Sequence, residues 1–209
     1  MESAQASQVS VLRTLGDAGV PVGVEAAAAL GRWCDLLLRW NRRINLTAVT
    51  DPRQVVEIHL LDSTLAAIGL GPGERVVDVG SGAGLPGIVI AVLRPDVKVT
   101  LVEPTAKKIA FLRTAVDVAG CENVDVVRRR DVDLPQAEWD RAVSRATMEP
   151  TAWLRAGSRL VRAGGKVGVM VAGADKLPAA PEGMSLVERH SLVLPTSGAP
   201  RAIGWYVKG

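Results

Sequence analysis

Asp78-Val79-Gly80-Ser81-Gly82-Ala83-Gly84-Leu85-Pro86-Gly87 sets four glycines in ten residues directly behind Arg75-Val76-Val77. A plain turn from strand to helix needs one or two glycines, so four indicate a backbone kept bare for something to lie against it. A helix beginning near Leu85-Pro86 would turn its first amide groups toward the same place. Outward from this loop, Val76–Val79, Val97–Val102, Val124–Val127, Ala142–Ser144 and Val167–Val171 are short β-branched runs, most of them separated by helix-length segments. Near-continuous apolar strands alternating with helices predict a parallel sheet covered on both faces. The tail differs, because Ser185–Leu194 and Ile203–Val207 can pair across a Pro-Thr-Ser-Gly loop. The expected fold is α/β: five parallel strands with a terminal antiparallel hairpin.

Ahead of position 51 the period is helical. Leu30, Trp33, Leu37, Trp40 and Ile44 recur at three- and four-residue steps, while Arg32, Asp35, Arg39, Arg42 and Arg43 take the other positions. This predicts an amphipathic helix with a basic outer side, either facing RNA or simply solvated. A second helix is expected after Asp51-Pro52, through Val55, Val56, Leu60, Leu61 and Leu65. The predicted organisation is a helical extension over 1–50 packed on a single globular unit over 51–209.

Composition narrows the function. The 209 residues are 48% hydrophobic and 22% charged, which suits one folded domain rather than a disordered chain. The first eight residues lack a basic region followed by an apolar stretch, and the longest apolar run, Ile88–Leu93, is far short of a membrane span, so a soluble, cytoplasmic monomer is expected. Cys34 and Cys121 lack the spacing of a redox pair or metal site and read as buried, reduced residues; His59 and His190 are too few for a histidine-built site, so no metal is expected. The net charge of +3 leans toward an anionic partner. Seven aromatic residues, five of them Trp, argue against a platform that stacks successive bases of a single strand.

Two ligand classes fit the glycine loop. From Gly82 it matches Gly-x-Gly-x-x-Gly through Gly84 and Gly87, with Glu103 at about the distance of a ribose-binding acid, as in nicotinamide dinucleotide sites. From Asp78 it reads Asp-x-Gly-x-Gly-x-Gly. A pyrophosphate would be repelled by Asp78 at the end of the first strand, whereas S-adenosylmethionine, with its sulfonium and ammonium, would be attracted. Glu103, ending Val99-Thr100-Leu101-Val102, is an acceptor-only fork suited to two ribose hydroxyls. Asp78, Gly80, Gly82 and Glu103 within one βαβ unit therefore favour S-adenosylmethionine, with a nicotinamide cofactor or a ligand-free turn as the alternatives.

Ligands in such sheets lie across the carboxyl ends of the strands. After the third strand come Arg128-Arg129-Arg130-Asp131-Val132, where an acid can accept from an adenine amino group and an apolar side chain can cover the ring. After the fourth come Ser144-Arg145-Ala146. No cysteine nucleophile and no polar and aromatic clamp stand there, as methylation at a pyrimidine carbon or an exocyclic amine would require. A ring nitrogen such as guanine N7 already presents a lone pair and needs no general base; alignment with the methyl donor would supply most of the catalysis.

Several stretches together resemble a known family. Trp40-Asn41-x-x-Ile44-Asn45-Leu46-Thr47-Ala48, Asp51-Pro52, His59-Leu60-Leu61-Asp62-Ser63, the glycine loop and Ser144-Arg145-Ala146 are similar to the bacterial small-subunit ribosomal RNA guanine-N7 methyltransferases, the glucose-inhibited division protein B family. The likeness runs from about residue 33 to the end. It implies a class I, Rossmann-like methyltransferase fold, S-adenosylmethionine as donor, and as acceptor a guanine of 16S rRNA near the decoding region, presented within the 30S subunit or its precursor. Carried over by residue, Gly80 and Leu85 would touch the cofactor, Asp131 and Val132 would flank its adenine, and Arg145 would reach the active centre. Asn45, His59, Arg130 and Arg201 would lie on the RNA side. Plainer roles are a helix cap for Asn45, a structural hydrogen bond for His59 and a tie between elements for Asp62-Ser63. The family usually has Lys-Gly after the fifth strand, where this chain reads Val171-Ala172-Gly173, with Lys176 nearby; the missing cation implies weaker, less salt-dependent RNA binding. Asp131-Val132 also reverses the family's usual order of apolar residue and acid.

Overall fold

The structure is a computed structural model and describes residues 2–209. The chain opens with helices α1 (Glu2–Asp17) and α2 (Val24–Asn41). A third helical segment starts as α3 (Pro52–Gln54), widens into a π-helix over Val55–Leu61, and finishes as α4 (Asp62–Thr64) and a 3-10 turn at Leu65–Ala67. Its start is the expected one: Pro52 is the first residue and Asp51 caps it, accepting from the Gln54 amide at 2.9 Å. Strands and helices then alternate as β1 (Arg75–Val79), α5 (Gly87–Leu93), β2 (Lys98–Val102), α6 (Ala106–Ala119), β3 (Val124–Val127), β4 (Trp139–Ser144), α7 (Pro150–Leu160) and β5 (Val161–Val171). The hairpin β6 (Met184–Val193) and β7 (Pro200–Lys208) ends the chain.

The seven strands lie in the order β3-β2-β1-β4-β5-β7-β6. The first five are parallel; β7 runs antiparallel to β5 and to β6. This is the predicted sheet. Alternation along each strand sends neighbours to opposite faces: Val76, Leu101, Val143 and Trp205 join one apolar cluster, and Val77, Val102, Ala142 and Tyr206 the other. The first cluster takes in Val11 and Leu15 of α1, Trp33 of α2, Leu60, Ile88 and Phe111; the second takes in Trp153 and Leu154 of α7. With both faces covered, near-continuous apolar strands are what the fold requires.

The N-terminal region departs from expectation in several ways. Helix α1 had no sequence signal strong enough to predict it, and it covers part of α2's outer side: the Ser7 hydroxyl donates to Asp35 at 2.6 Å. Arg32 is likewise engaged, its Nε donating to the Val118 carbonyl at 2.7 Å. Helix α2 ends at Asn41, so Ile44 falls in the following turn, together with Arg42 and Arg43. Residues of 1–50 share one apolar core with α5 and α6. Cys34 is buried as predicted, but Cys121 is only half-buried. Strands β4 and β5 begin earlier than their β-branched runs, at Trp139 and Val161. Among the described residues no helix is long and apolar enough to cross a membrane.

Candidate functional site

The chain runs from β1 outward through β2 to β3, then returns to place β4 on the other side of β1. Between β1 and β4 the connections diverge, and a crevice opens at the carboxyl ends of the strands. A cleft of about 450 Å³ lies there, lined by Gly80–Ala83 and Leu85 after β1, Arg145–Thr147 after β4, Leu46 and Thr47, His59 and Asp62 of the third helical segment, Lys108 of α6 and Arg201 of β7.

The floor explains the glycines. Gly80 has φ +73°, and a Cβ there would stand 2.3 Å from the Thr147 methyl. Gly87 has no room for a side chain either: a Cβ would meet Leu101 Cδ2 at 2.2 Å and Asp78 Oδ2 at 2.8 Å. The loop is pinned from below. The Ser81 hydroxyl donates to the Asp78 carbonyl and accepts from the Val102 amide, and the Trp33 indole donates to the Ala83 carbonyl at 3.0 Å.

Asp78 stands behind the loop, fully buried and outside the cleft lining. Its Oδ2 accepts from the Gly87 amide at 3.0 Å, whereas Oδ1 has no partner. Burial pushes its carboxyl up to about 7, against the opposing effect of the Gly87 amide. A buried carboxylate oxygen left without a partner suits a cation nearby. Glu103 is also buried, accepting from the Gly82 amide at 3.2 Å and the Thr105 amide at 2.9 Å, with Lys108 Nζ 3.9 Å away. It therefore sits beside the loop, at the end of β2.

The opposite wall is a chain of polar groups. Arg145 pairs with Asp62, Nη1 to Oδ2 at 3.2 Å, and Arg201 Nε lies 3.9 Å from Asp62 Oδ1. Burial raises the Asp62 carboxyl from its ordinary value, an effect the two arginines oppose. Arg145 Nη2 also stands 3.4 Å from His59 Nδ1, and His59 Nε2 lies 2.7 Å from Thr47 Oγ1. Burial, then the Arg145 charge, pushes the imidazole down to about 4, so it is neutral at pH 7. Thr47 is held by Asn41, whose carboxamide oxygen accepts from the Leu46 and Thr47 amides at 2.8 and 3.0 Å and whose nitrogen donates to the Thr47 carbonyl at 2.9 Å.

The cleft thus brings together Gly80, Gly82, Leu85, His59, Arg145 and Arg201 from the sequence-derived set. It does not include the others. Asn45 is exposed in the loop after α2 and caps no helix; Arg130 is exposed. Asp131 and Val132 sit on a 3-10 turn, with Val132 62% exposed, and neither lines the cleft. Asp62, read as a possible tie between elements, is the hub of the arginine pair. Thr47, Asn41 and Trp33 were not singled out, since their roles depend on contacts 12, 6 and 50 residues away.

A family model described as GidB, rRNA small subunit methyltransferase G, matches residues 26–195. The chain belongs to the GidB family. Among its GidB relatives, the ribosomal RNA small subunit methyltransferase G of Chromohalobacter salexigens is 38% identical over 191 residues, 90% of this chain and 91% of the relative. The protein of that name from Anaeromyxobacter dehalogenans is 40% identical over 196 residues, covering 88% and 90%. Solved structures share the fold at lower identity. A SAM dependent methyltransferase from Aquifex aeolicus has a TM-score of 0.55 at 18% identity, covering 75% of this GidB chain and 94% of its own. M. jannaschii TYW2, solved in complex with AdoMet, has a TM-score of 0.56 at 15% identity, covering 72% and 76%. The α/β architecture of this GidB protein is therefore that of class I S-adenosylmethionine-dependent methyltransferases.

Proposed function

We propose that this chain transfers a methyl group from S-adenosylmethionine to N7 of a guanine in 16S rRNA of the small ribosomal subunit. The observation that carries the proposal is the cleft itself: a glycine cradle over a buried, half-satisfied Asp78 faces a cationic and hydroxyl-bearing wall of Arg145, Arg201 and Thr47. The cofactor's chemistry fits the residues present. Asp78 Oδ1 lacks a partner that an ammonium or sulfonium would supply, and the positive φ of Gly80 lets the loop backbone itself line the cleft.

When bound, S-adenosylmethionine supplies an electrophilic methyl group on a positively charged sulfur. Gly80, Gly82 and Leu85 would hold it against the loop, Asp78 would provide the opposing charge, and Glu103 would accept from the ribose hydroxyls. Asp131 and Val132, half-buried and exposed respectively on the 3-10 turn that follows β3, would flank its adenine. On the RNA side, N7 carries its own lone pair, so no side chain removes a proton. Neutral His59 is suited to orienting its neighbours, and Arg145, fixed by Asp62, to positioning the acceptor by a fork of N–H donors. Arg130 and Asn45, both exposed, and Arg201 at the cleft supply RNA contacts. The substrate is the 30S subunit or its precursor, and the enzyme acts as a cytoplasmic monomer.

Ala172 is exposed beyond the end of β5, where Val171 pairs with Ala202, next to Arg201. That arginine leaves a cation at the cleft even without a lysine after β5. Mass mapping of N7-methylguanine in 16S rRNA from a strain lacking this protein tests the proposal. Loss of one N7-methylguanine, restored by the gene, is expected; an unchanged pattern would reject it.

A further inference from the structure

The wall of the cleft fixes the direction of one hydrogen bond that the reaction outlined above does not use. The guanidinium of Arg145 has only donors, so His59 Nδ1, 3.4 Å from Nη2, faces it with its lone pair. The ring is neutral, and its single proton is therefore on Nε2, which donates to Thr47 Oγ1 at 2.7 Å. Thr47 Oγ1 also accepts from the Val49 amide at 3.0 Å. A hydroxyl oxygen has two lone pairs and one proton. Both lone pairs are taken, and no acceptor within the described residues receives the proton. Thr47 lines the cleft, so its hydroxyl is a donor to whatever binds there, and the Arg145-to-His59-to-Thr47 order polarises each bond toward the cleft.

We infer that Thr47 is a specificity-determining residue, its hydroxyl donating to O6 of the target guanine. This rests on the proposed guanine-N7 reaction. The purine edge that carries N7 also carries position 6. Guanine presents there an oxygen acceptor, and adenine an amino donor. A hydroxyl that can only donate, beside the atom to be methylated, pairs with the first and stands donor against donor with the second. Were the His59 proton on Nδ1, Thr47 would be free to accept and the selection would vanish; Arg145 and His59 are thus positioning residues for Thr47.

The experiment compares wild type with Thr47→Val and Thr47→Ser, measuring S-adenosylmethionine affinity by calorimetry and methyl transfer to 30S subunits lacking the modification. A parallel substrate is reconstituted with 2-aminopurine, which keeps N7 but lacks O6, at the mapped guanine. Thr47→Val should bind cofactor as wild type does and lose roughly ten- to hundredfold in kcat/KM on guanine. Thr47→Ser should recover most of that. On 2-aminopurine the wild type should fall to the level of Thr47→Val, and the two should then be equal. Undiminished guanine transfer by Thr47→Val would overturn the assignment. So would a variant whose defect is confined to cofactor affinity, which would place the hydroxyl on the cofactor instead, or one whose defect is as large on 2-aminopurine as on guanine. If wild-type enzyme methylates no guanine at all, it is the proposed function that fails.

Discussion

The indole nitrogen of Trp33, on the second helix, donates to the carbonyl of Ala83 inside the glycine loop, 3.0 Å away and out of contact with water. An N-terminal helix thereby sets the height of the loop that lies at the end of the first strand. Trp33→Phe keeps most of the apolar packing and removes this bond, leaving the Ala83 carbonyl without its buried donor. The expected cost is about 1–3 kcal/mol of stability, together with several-fold weaker S-adenosylmethionine binding. Thermal unfolding with and without cofactor checks this. A variant that loses stability but keeps wild-type affinity would mean that the helix supports the core without shaping the loop.

Asp78 gives a prediction in which stability and function move in opposite directions. Its carboxyl is raised from 3.8 to about 7, so between those values the folded state holds a proton that the unfolded state has lost, and this group weakens the fold as pH rises. Asp78→Asn removes that burden and should raise Tm at pH 8. It should also abolish cofactor binding by removing the charge opposite the sulfonium and ammonium. In the wild type, affinity should fall as pH drops below 7. A variant that binds S-adenosylmethionine normally would refute the role assigned to this acid.

His59 acts with the opposite sign. Its pKa is lowered from 6.5 to about 4, so between those values the unfolded chain holds the extra proton, and stability falls as pH is lowered from 6.5 to 4. The contribution reaches about 3 kcal/mol as an upper value. His59→Gln should flatten that part of the pH profile measured by urea unfolding. If variant and wild type show the same slope, the imidazole is more easily protonated than its surroundings require.

Arg39, Arg42 and Arg43 are exposed at the end of the second helix and in the turn that leads to Thr47. Reversing all three to Glu should weaken methylation of small subunits by tenfold or more at low salt and reduce its salt dependence, since each phosphate contact contributes to counterion release. Cofactor affinity should not change. Full activity would make them an ordinary solvated surface.

The sheet was legible because each parallel strand is a short β-branched run, with Val76-Val77 and Leu101-Val102 filling both faces. The loop was legible because Gly80 and Gly87 meet steric limits that no other residue satisfies. The first helix was not: of its described side chains only Val11 and Leu15 are buried, so its stability comes from packing against the second helix rather than from a visible stripe. Asp78, expected close to the loop, stands behind it and accepts from the Gly87 amide. Alternation along a strand cannot say at what depth a side chain stands. The roles of Thr47 and Trp33 were not legible for a related reason, because each is defined by a partner remote in sequence. Asn45 and Arg130 carry no sign of burial in the sequence, and both proved to be exposed outside the cleft.

Transfer of labelled methyl from S-adenosylmethionine to 30S subunits lacking the modification tests the central claim most directly, with naked 16S rRNA and 50S subunits alongside. Incorporation confined to 16S rRNA, mapped to one guanine N7 and lost in Arg145→Ala, is the predicted result. Measurable cofactor binding without incorporation into any 16S substrate would contradict the proposed reaction.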